Sequence, residues 1–473
     1  MGTPVVEWTV VWFDKVFAAD QILNLMGWTF QMSSLKRPLD ETRTSRRPRP
    51  PPVAFFHFRK FPMRFWLIFA AVLILASTLA NGAERSEWMQ WRGPDRTCTI
   101  PQTVWPEKLD EQSLLEQYRV ALQPSYSGPI VTADKVFVTE TVNKEREVVR
   151  ALDRNTGKEL WNVEWPGAMT VPFFAASNGS WIRATPIFDG EKLYVVGMND
   201  ELVALEGVSG KEAWRVDFKK EFNTTGQTFG AVCSPMIDGG FLFVQSSGGL
   251  VKIDCQSGAI IWRSLKEEGG MMGGAFSSPV LASVVGTRQL IVQTRSKLCG
   301  VDPESGAELW TVQIPSFRDM NILTPTVIGD RVFTSSYGGG ASMYEIAKSE
   351  SAFEAKQIWK NTTEAYMSSP VVVDGKIFLH LRNKRFSCLD AQSGESLWRT
   401  TPFGDYWSIV ANGSKLLVLD SSGDLILLNA NPAEFSKLDT RHVSDTSTWA
   451  HLAVADDQVF VRALDALIVY RWM

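Results

Sequence analysis

The side chains that most often carry out chemistry are sparse in this sequence. The four histidines, His57, His380, His442 and His451, are far apart, so their spacing does not form a multi-histidine metal site. No serine stands in a Gly-x-Ser-x-Gly context, which would present a nucleophile at a sharp turn. The sequence therefore predicts no catalytic residue and no metal site.

The cysteines are scattered, with no adjacent pair and no Cys-x-x-Cys spacing: Cys98, Cys233, Cys255, Cys299 and Cys388. An odd number of cysteines in an exported chain leaves at least one thiol free or paired between chains. We expect these cysteines to be small buried side chains within strands.

The remaining candidates mix aromatic, apolar and polar side chains, a combination that suits carbohydrate or peptide binding. They lie in the segments that precede recurring short apolar runs: Trp181, Arg183, Phe276, Met367, Trp407 and His451. Whether they form one site depends on the elements that position them. The alternative is that the same side chains fill an interior space as packing.

A recurring eleven-residue stretch defines those elements. ALDRNTGKELW, residues 151–161, has relatives that end at Trp214, Trp262, Trp310 and Trp398, and a degenerate one that ends at Trp359. Successive tryptophans of this series lie 39 to 53 residues apart. Periods of about 40–50 residues are typical of propeller blades.

Each residue type in the stretch has a physical role. The glycine supplies the positive φ of a tight turn, the aspartate accepts hydrogen bonds from turn amides, and the tryptophan ring can be buried between neighbouring blades. The positions are Asp153, Gly157 and Trp161, Gly210 and Trp214, Asp254, Gly258 and Trp262, Asp302, Gly306 and Trp310, and Asp390, Gly394 and Trp398. We assign them a structural role.

Counting the repeats predicts an all-β, eight-bladed propeller of four-stranded antiparallel blades. Six units begin at strands that carry an early proline, and a seventh begins near Trp407. An eighth begins near His451 and reaches the end of the chain after three strands, so residues 114–122 are expected to supply its fourth. Shared termini close the ring and remove open sheet edges. Seven blades is the alternative.

The N-terminal region predicts export. Arg64 precedes an apolar run, residues 65–80, and small residues follow it up to Ala83, which is the form of a signal peptide. We divide the chain into a disordered extension or mis-assigned start (1–62), a signal peptide (63–83), a lead-in segment (84–113) and the propeller (114–473). An uncleaved membrane anchor is the alternative. No cysteine follows the apolar run closely, which disfavours a lipoprotein anchor.

The repeat resembles the pyrroloquinoline-quinone-type (PQQ-like) β-propeller repeat, and WMQWRGPDR, residues 88–96, resembles the start of secreted bacterial members from planctomycete-like bacteria. The resemblance implies an eight-bladed propeller outside the cytoplasm. It does not imply one function, since the family includes quinoprotein dehydrogenases, an outer-membrane assembly lipoprotein and uncharacterised secreted propellers.

We interpret the chain as a secreted non-catalytic binding or scaffold module for a protein or polysaccharide. The alternative is a PQQ-dependent dehydrogenase of alcohols or sugars with calcium, but no adjacent Cys-Cys pair and no matching calcium cluster occurs. A net charge of −4 gives no reason to expect a nucleic-acid surface.

Overall fold

The computed structural model describes residues 85–101, 103–267, 274–350 and 352–473. In these ranges the chain forms eight sheets, which we number blades 1 to 8 in chain order. Each blade has four antiparallel strands, and the sheet of blade 7 carries a short fifth strand that pairs in parallel. The predicted eight-bladed all-β propeller is confirmed. The predicted extension (1–62) and signal peptide (63–83) lie outside the described residues, as does most of the glycine- and methionine-rich stretch 269–274.

The first four blades are each built from consecutive strands. Blade 1 contains Ile130–Val131, Lys135–Val142, Arg146–Asp153 and Glu159–Pro166. Blade 2 contains Ile187–Phe188, Lys192–Gly197, Glu201–Glu206 and Glu212–Asp217. Blade 3 contains Met236–Asp238, Phe241–Ser246, Gly249–Asp254 and Ile260–Ser264. Blade 4 contains Val280–Val284, Thr287–Gln293, Lys297–Val301 and Glu308–Gln313.

The last four blades complete the ring. Blade 5 contains Thr326–Ile328, Arg331–Ser336, Gly340–Ser349 and Ala352–Asn361. Blade 6 contains Val371–Val373, Lys376–His380, Arg385–Asp390 and Ser396–Pro402. Blade 7 contains Trp407–Asn412, Lys415–Asp420, Asp424–Asn429 and Ser436–His442. Blade 8 contains Ala453–Ala455, Gln458–Arg462, Ala466–Trp472 and the N-terminal strand Leu114–Ala121.

Blade 8 closes the ring as predicted. Its N-terminal strand pairs antiparallel with the last strand of the chain, with Leu114 opposite Trp472 and Ala121 opposite Ala466. The helical elements in the described ranges are short: an α-helix at Phe218–Phe222 and 3₁₀ turns at Phe173–Asn178 and Phe317–Asp319. The site must therefore be built from strands and loops.

The recurring turn has the predicted geometry. Its glycines all have φ between 71° and 77°: Gly157, Gly210, Gly258, Gly306 and Gly394. The aspartates before it each accept hydrogen bonds from two turn amides at 2.7–3.1 Å: Asp153, Asp254, Asp302 and Asp390. The polar residues of the repeat therefore stabilise the blade turn.

The tryptophans join neighbouring blades. A Cβ atom on Gly210 would lie 2.5 Å from the ring of Trp161, so glycine is required both for its φ and for the close approach of the ring. The Trp161 indole N–H donates to the Gly207 carbonyl of the next blade at 3.2 Å. Trp214 and Trp398 make the same interblade hydrogen bond, whereas Trp310 donates to Gln289 within its own blade. These contacts are what a structural role requires, although most of these rings are only half-buried.

Hydroxyl groups link the first strands around the channel. The residue before the proline of one blade donates its backbone N–H to the side-chain hydroxyl at the same position of the next blade. Five such bonds of 2.9–3.3 Å connect blades 1 to 6, and their acceptors are Thr185, Ser234, Ser278, Thr324 and Ser369. We call these five residues the hydroxyl belt. The Ser or Thr of the repeated Ser/Thr-Pro pair therefore joins neighbouring blades, in addition to preceding the first strand.

The lead-in segment fills the central channel. Trp88 exchanges two backbone hydrogen bonds with Val131 of blade 1, at 2.7 and 2.9 Å. The strand Thr99–Ile100 then pairs parallel with the first strand of blade 7. Between these points, Arg92 reaches the Pro370 carbonyl of blade 6 and Arg96 reaches the Ser234 carbonyl of blade 3. Residues 88–100, which we call the plug, therefore occupy the axis of the ring.

A buried carboxyl group lies between blades 1 and 2. Glu147 is fully buried and accepts hydrogen bonds from the Met198 backbone N–H at 2.6 Å and the Trp165 indole at 3.2 Å. Burial raises the pKa of Glu147 from 4.5 to about 7, although both hydrogen bonds favour the ionised form. The folded protein therefore holds this proton to a higher pH than the unfolded chain does.

Glu147→Gln is expected to flatten the dependence of stability on pH. Because the folded-state pKa is raised, the contribution of Glu147 to the free energy of unfolding is greatest below about pH 4.5 and falls by about 3 kcal/mol as the pH rises to 7. Urea unfolding of the wild type and variant at pH 5 and 7 measures this difference. Glu164→Gln, which alters an exposed ion pair with Arg146, is the control and should leave the slope unchanged. Equal slopes for wild type and Glu147→Gln would contradict the assignment.

Candidate functional site

A cavity opens at the upper face of the ring, which we define as the face where the loops before the first strands converge. It encloses about 220 Å³, and its lining comes from every blade connection around the axis. Trp91 of the plug closes it from below, with its ring 6.2 Å from that of His451. The cavity is therefore a cup rather than an open channel.

The wall of the cup is mostly aromatic. Its rings are Trp91, Tyr126, Phe229, Phe276, Tyr366, Tyr406 and Trp449. Several are in contact: Tyr406 stacks on Trp449 at 5.6 Å, Trp449 lies 5.8 Å from Tyr126, and Phe229 lies 5.9 Å from Phe276. Phe173 and Phe174 extend this aromatic surface outward, and Phe173 is 91% exposed. Aromatic side chains of this kind contribute strongly to binding energy.

The polar part of the cup consists of hydroxyls, the imidazole of His451 and one guanidinium group. All five residues of the hydroxyl belt line it, together with Arg183. The Arg183 guanidinium lies 5.3 Å above the Tyr126 ring and donates to the Gly179 carbonyl at 2.7 Å. None of the described lining residues is an aspartate or glutamate. The charge of the cup is therefore positive.

The plug adds two buried charges below the cup. The guanidinium groups of Arg92 and Arg96 lie 5.5 and 5.4 Å from the Trp91 ring. Their hydrogen-bond acceptors are backbone carbonyls and the Gln90 amide oxygen. Among the described residues, neither guanidinium has a carboxylate within 4.0 Å. Burial lowers the pKa of Arg96 to about 10, which leaves it charged at neutral pH.

Four of the six predicted ligand-binding residues meet in the cup: Arg183, Phe276, Met367 and His451. Trp181 lies at its rim, where its ring contacts Tyr126 edge-on at 5.2 Å. The placement of Trp407 is wrong, because this residue is fully buried inside blade 7 against His380, Phe386 and Phe403. Its indole N–H donates to the Asp420 carboxylate rather than facing a ligand.

The two hydrogen-bond partners of His451 are both uncharged, so the residue does not form an activated catalytic pair. Its Nδ1 lies 2.9 Å from the Leu452 carbonyl oxygen, and its Nε2 lies 3.2 Å from the Cys98 sulfur. Burial lowers the pKa of His451 to about 3 and raises the pKa of Cys98 to about 11. At neutral pH the thiol and imidazole are both uncharged, unlike an activated cysteine nucleophile. All five cysteines are buried free thiols. Their predicted burial is confirmed, but only Cys299 and Cys388 lie within strands, whereas Cys98, Cys233 and Cys255 lie near strand ends.

The donor set of the cup does not fit a calcium-bound quinone. Calcium takes six to eight oxygen ligands that include carboxylates, whereas the charged side chain here is a guanidinium. In the described ranges, no three histidine, cysteine, aspartate or glutamate side chains lie close enough to hold a metal ion.

Sequence reasoning missed most of the wall and the whole floor. Tyr126, Phe229, Tyr366, Tyr406 and Trp449 all lie in the loops that precede first strands, but they were not among the selected residues. The repeated Ser/Thr before proline was a signal for the hydroxyl belt. Trp91 had no such signal, because no pattern in the neighbouring sequence indicates that this segment, which lies outside the repeats, enters the channel.

Comparisons with known proteins agree with this architecture. A family model described as outer membrane protein assembly factor BamB matches residues 145–400. The curated outer membrane protein assembly factor BamB of Yersinia pestis is 22% identical over 379 residues, which cover 77% of this chain and 86% of the relative. That of Moranella endobia is 22% identical over 347 residues, covering 70% and 80%.

Solved structures share the fold. BamB from Moraxella catarrhalis matches with a TM-score of 0.54 at 16% identity, covering 76% of this chain and 98% of that one. A quinohemoprotein alcohol dehydrogenase from Pseudomonas putida matches with a TM-score of 0.57 at 14% identity, covering 84% and 82%. At these identities the likeness concerns the fold alone. Within the described ranges, no helix has the length and apolar character needed to span a membrane.

Proposed function

Because the chain belongs to the propeller family described as outer membrane protein assembly factor BamB, we propose that it is an exported, non-catalytic scaffold that binds a protein partner at its upper face. The observation that carries the proposal is the cup itself, an aromatic cavity with hydroxyl donors and without a carboxylate base. The relatives are named for the assembly of outer membrane proteins, so we propose a role in that process and a periplasmic location. The predicted signal peptide supports export.

A protein partner is favoured over a polysaccharide. The exposed Phe173 and half-exposed Phe174 extend the cup into an apolar rim, and such surfaces mark protein interaction sites. The volume of about 220 Å³ lies below the range of about 300–1,000 Å³ that is typical of small-molecule sites. The cup therefore suits a side chain or chain end of a larger partner.

Site-specific photo-crosslinking tests this proposal. A benzophenone amino acid at Phe174 is expected to crosslink a discrete protein in cells that express the full chain. The matched control is Val208, which is 83% exposed but lies in a turn between third and fourth strands, on the opposite face. Equal crosslinking at both positions, or none at Phe174, would contradict binding at the upper face.

We further propose that the protein takes up no PQQ–calcium, because its cup lacks the acidic ligands that calcium requires. Incubation of the purified protein with PQQ and calcium should give no stoichiometric uptake and no dye reduction with alcohols or sugars. Uptake together with dye reduction would overturn both this proposal and the scaffold role.

A further inference from the structure

Building on the proposed function, we propose that the cup binds a carboxylate group carried by an aromatic or apolar peptide segment of the protein partner. The cup and the plug beneath it form one electropositive, donor-rich pocket with apolar walls. Three features of the pocket support this: the hydrogen-bonding capacity of the hydroxyl belt, the positive charge of the arginines and the size of the cup.

The hydroxyl belt leaves donors available to the cavity. Thr185, Ser234, Thr324 and Ser369 each use the hydroxyl oxygen to accept a backbone N–H from the preceding blade. In the part of the chain that the structure describes, none of these four hydroxyls donates to a protein acceptor. A hydroxyl has one O–H donor, and accepting a hydrogen bond strengthens its donation. The four O–H groups therefore favour a ligand rich in acceptors.

Among ligands that are rich in hydrogen-bond acceptors, the positive charge of the pocket favours an anion. Arg183 lines the cup, and Arg92 and Arg96 lie directly below its Trp91 floor. The plug arginines are buried and hydrogen-bonded to neutral oxygens, so their charge is not cancelled locally. In an interior where the effective dielectric is low, such charges attract an anionic group strongly. A carboxylate also accepts the hydroxyl donors of the belt.

The walls and size of the cup determine what carries the carboxylate. Aromatic rings surround the donors, and Phe173 and Phe174 continue the apolar surface to the rim. A cup of about 220 Å³ admits a side chain or a chain terminus but not a folded domain. An acidic side chain or a terminal carboxylate flanked by aromatic residues satisfies both parts of the site.

Peptide titration of the purified full chain tests the inference. The probes are acetyl-Gly-Ser-Phe-Glu-Phe-Ser-Gly-amide and the same peptide with Gln in place of Glu, measured by isothermal calorimetry in low salt. The Glu peptide is expected to bind at least about tenfold more tightly, because charge-assisted hydrogen bonds are the stronger ones. A third peptide, with Gln and a free terminal carboxylate after the second Phe, shows whether a chain terminus can replace the acidic side chain.

Arg183→Gln should lower the preference for Glu over Gln the most and leave only the part that Arg92 and Arg96 supply, and Thr324→Val should reduce it several-fold. The matched control is Arg263→Gln, since Arg263 also lies above an aromatic ring, 4.2 Å from that of Phe222, and donates to a backbone carbonyl, yet it lies outside the cup. Melting temperatures show whether each variant is folded. If Arg183→Gln does not fold, Thr324→Val alone tests the carboxylate preference.

The inference is overturned if no carboxylate peptide binds better than the neutral one, or if Arg183→Gln and Thr324→Val both leave the preference intact. Binding of an acidic oligosaccharide such as hexagalacturonate, without peptide binding, would also overturn it. Crosslinking at Phe174 separates this failure from that of the scaffold role. If a protein is crosslinked at Phe174 but the peptides show no preference for a carboxylate, only the proposed ligand class is refuted. If no protein is crosslinked, protein binding at this face is refuted.

Discussion

Replacing Trp407 with alanine is expected to lower the free energy of unfolding by about 3–5 kcal/mol, the range for a buried tryptophan. The ring is 0% exposed and lies 4.7 Å from both Phe386 and Phe403. Its loss also removes the indole donor from the buried Asp420 carboxylate, which adds a desolvation cost. Guanidinium unfolding followed by circular dichroism measures the change.

Trp449 is the matched control for this prediction. It is only partly buried, lines the cup and stacks on Tyr406, so Trp449→Ala should cost about 1 kcal/mol of stability while weakening binding of the Glu peptide. Trp407→Phe should recover most of the stability lost in Trp407→Ala. If the two tryptophan-to-alanine variants lose equal stability, or if folded Trp407 variants lose peptide binding selectively, the structural role of Trp407 is wrong.

The strand register explains why Trp407 was misplaced. Residues two apart on an extended chain face the same side. Counting back two from the belt residues Thr185 and Ser278 gives Arg183 and Phe276, and both line the cup. In blade 7, Ser408 occupies the belt position, so the cup residue is Tyr406, while Trp407 faces into the blade. In the other two cases a proline marks the register, but blade 7 has no such proline. Trp407 was therefore selected for its aromatic side chain alone, which does not show which side of the strand it faces.

Most of the propeller could be predicted because most blades carry local signals. The turn glycines, the aspartates and the spacing of the tryptophans repeat within segments of some 40–50 residues. The unpaired N-terminal strand was also predictable, since blade 8 lacked a partner for its last strand. The plug was not predictable, because its hydrogen bonds join residues far apart in sequence. Arg96 and Ser234, for example, lie 138 positions apart.

The plug should be essential for stability, and Arg96→Met tests this. Arg96 donates to the buried carbonyls of Ser234 and Pro235, at 3.0 and 2.7 Å. Replacing a buried charge with an apolar residue can be neutral when its partner is replaced as well. Here both carbonyls remain buried after the substitution and lose their donor, at a cost of about 1–3 kcal/mol each. We therefore expect Arg96→Met to lower the free energy of unfolding by about 2–5 kcal/mol.

The substitution should also expose the plug to protease. Arg92 is buried in the channel, so trypsin is expected to cut after it rapidly in Arg96→Met and slowly in the wild type, as mass spectrometry of the fragments would show. Lys108→Met, at an exposed position of the same lead-in segment, should change stability by less than about 0.5 kcal/mol and leave Arg92 protected. Equal stability and protection in the two variants would mean that the plug is held by its backbone pairing with Val131 and blade 7 rather than by its arginines. The floor of the cup would then persist without the charge of Arg96, and carboxylate binding in that variant would measure how much of the attraction comes from Arg183 and the hydroxyl belt.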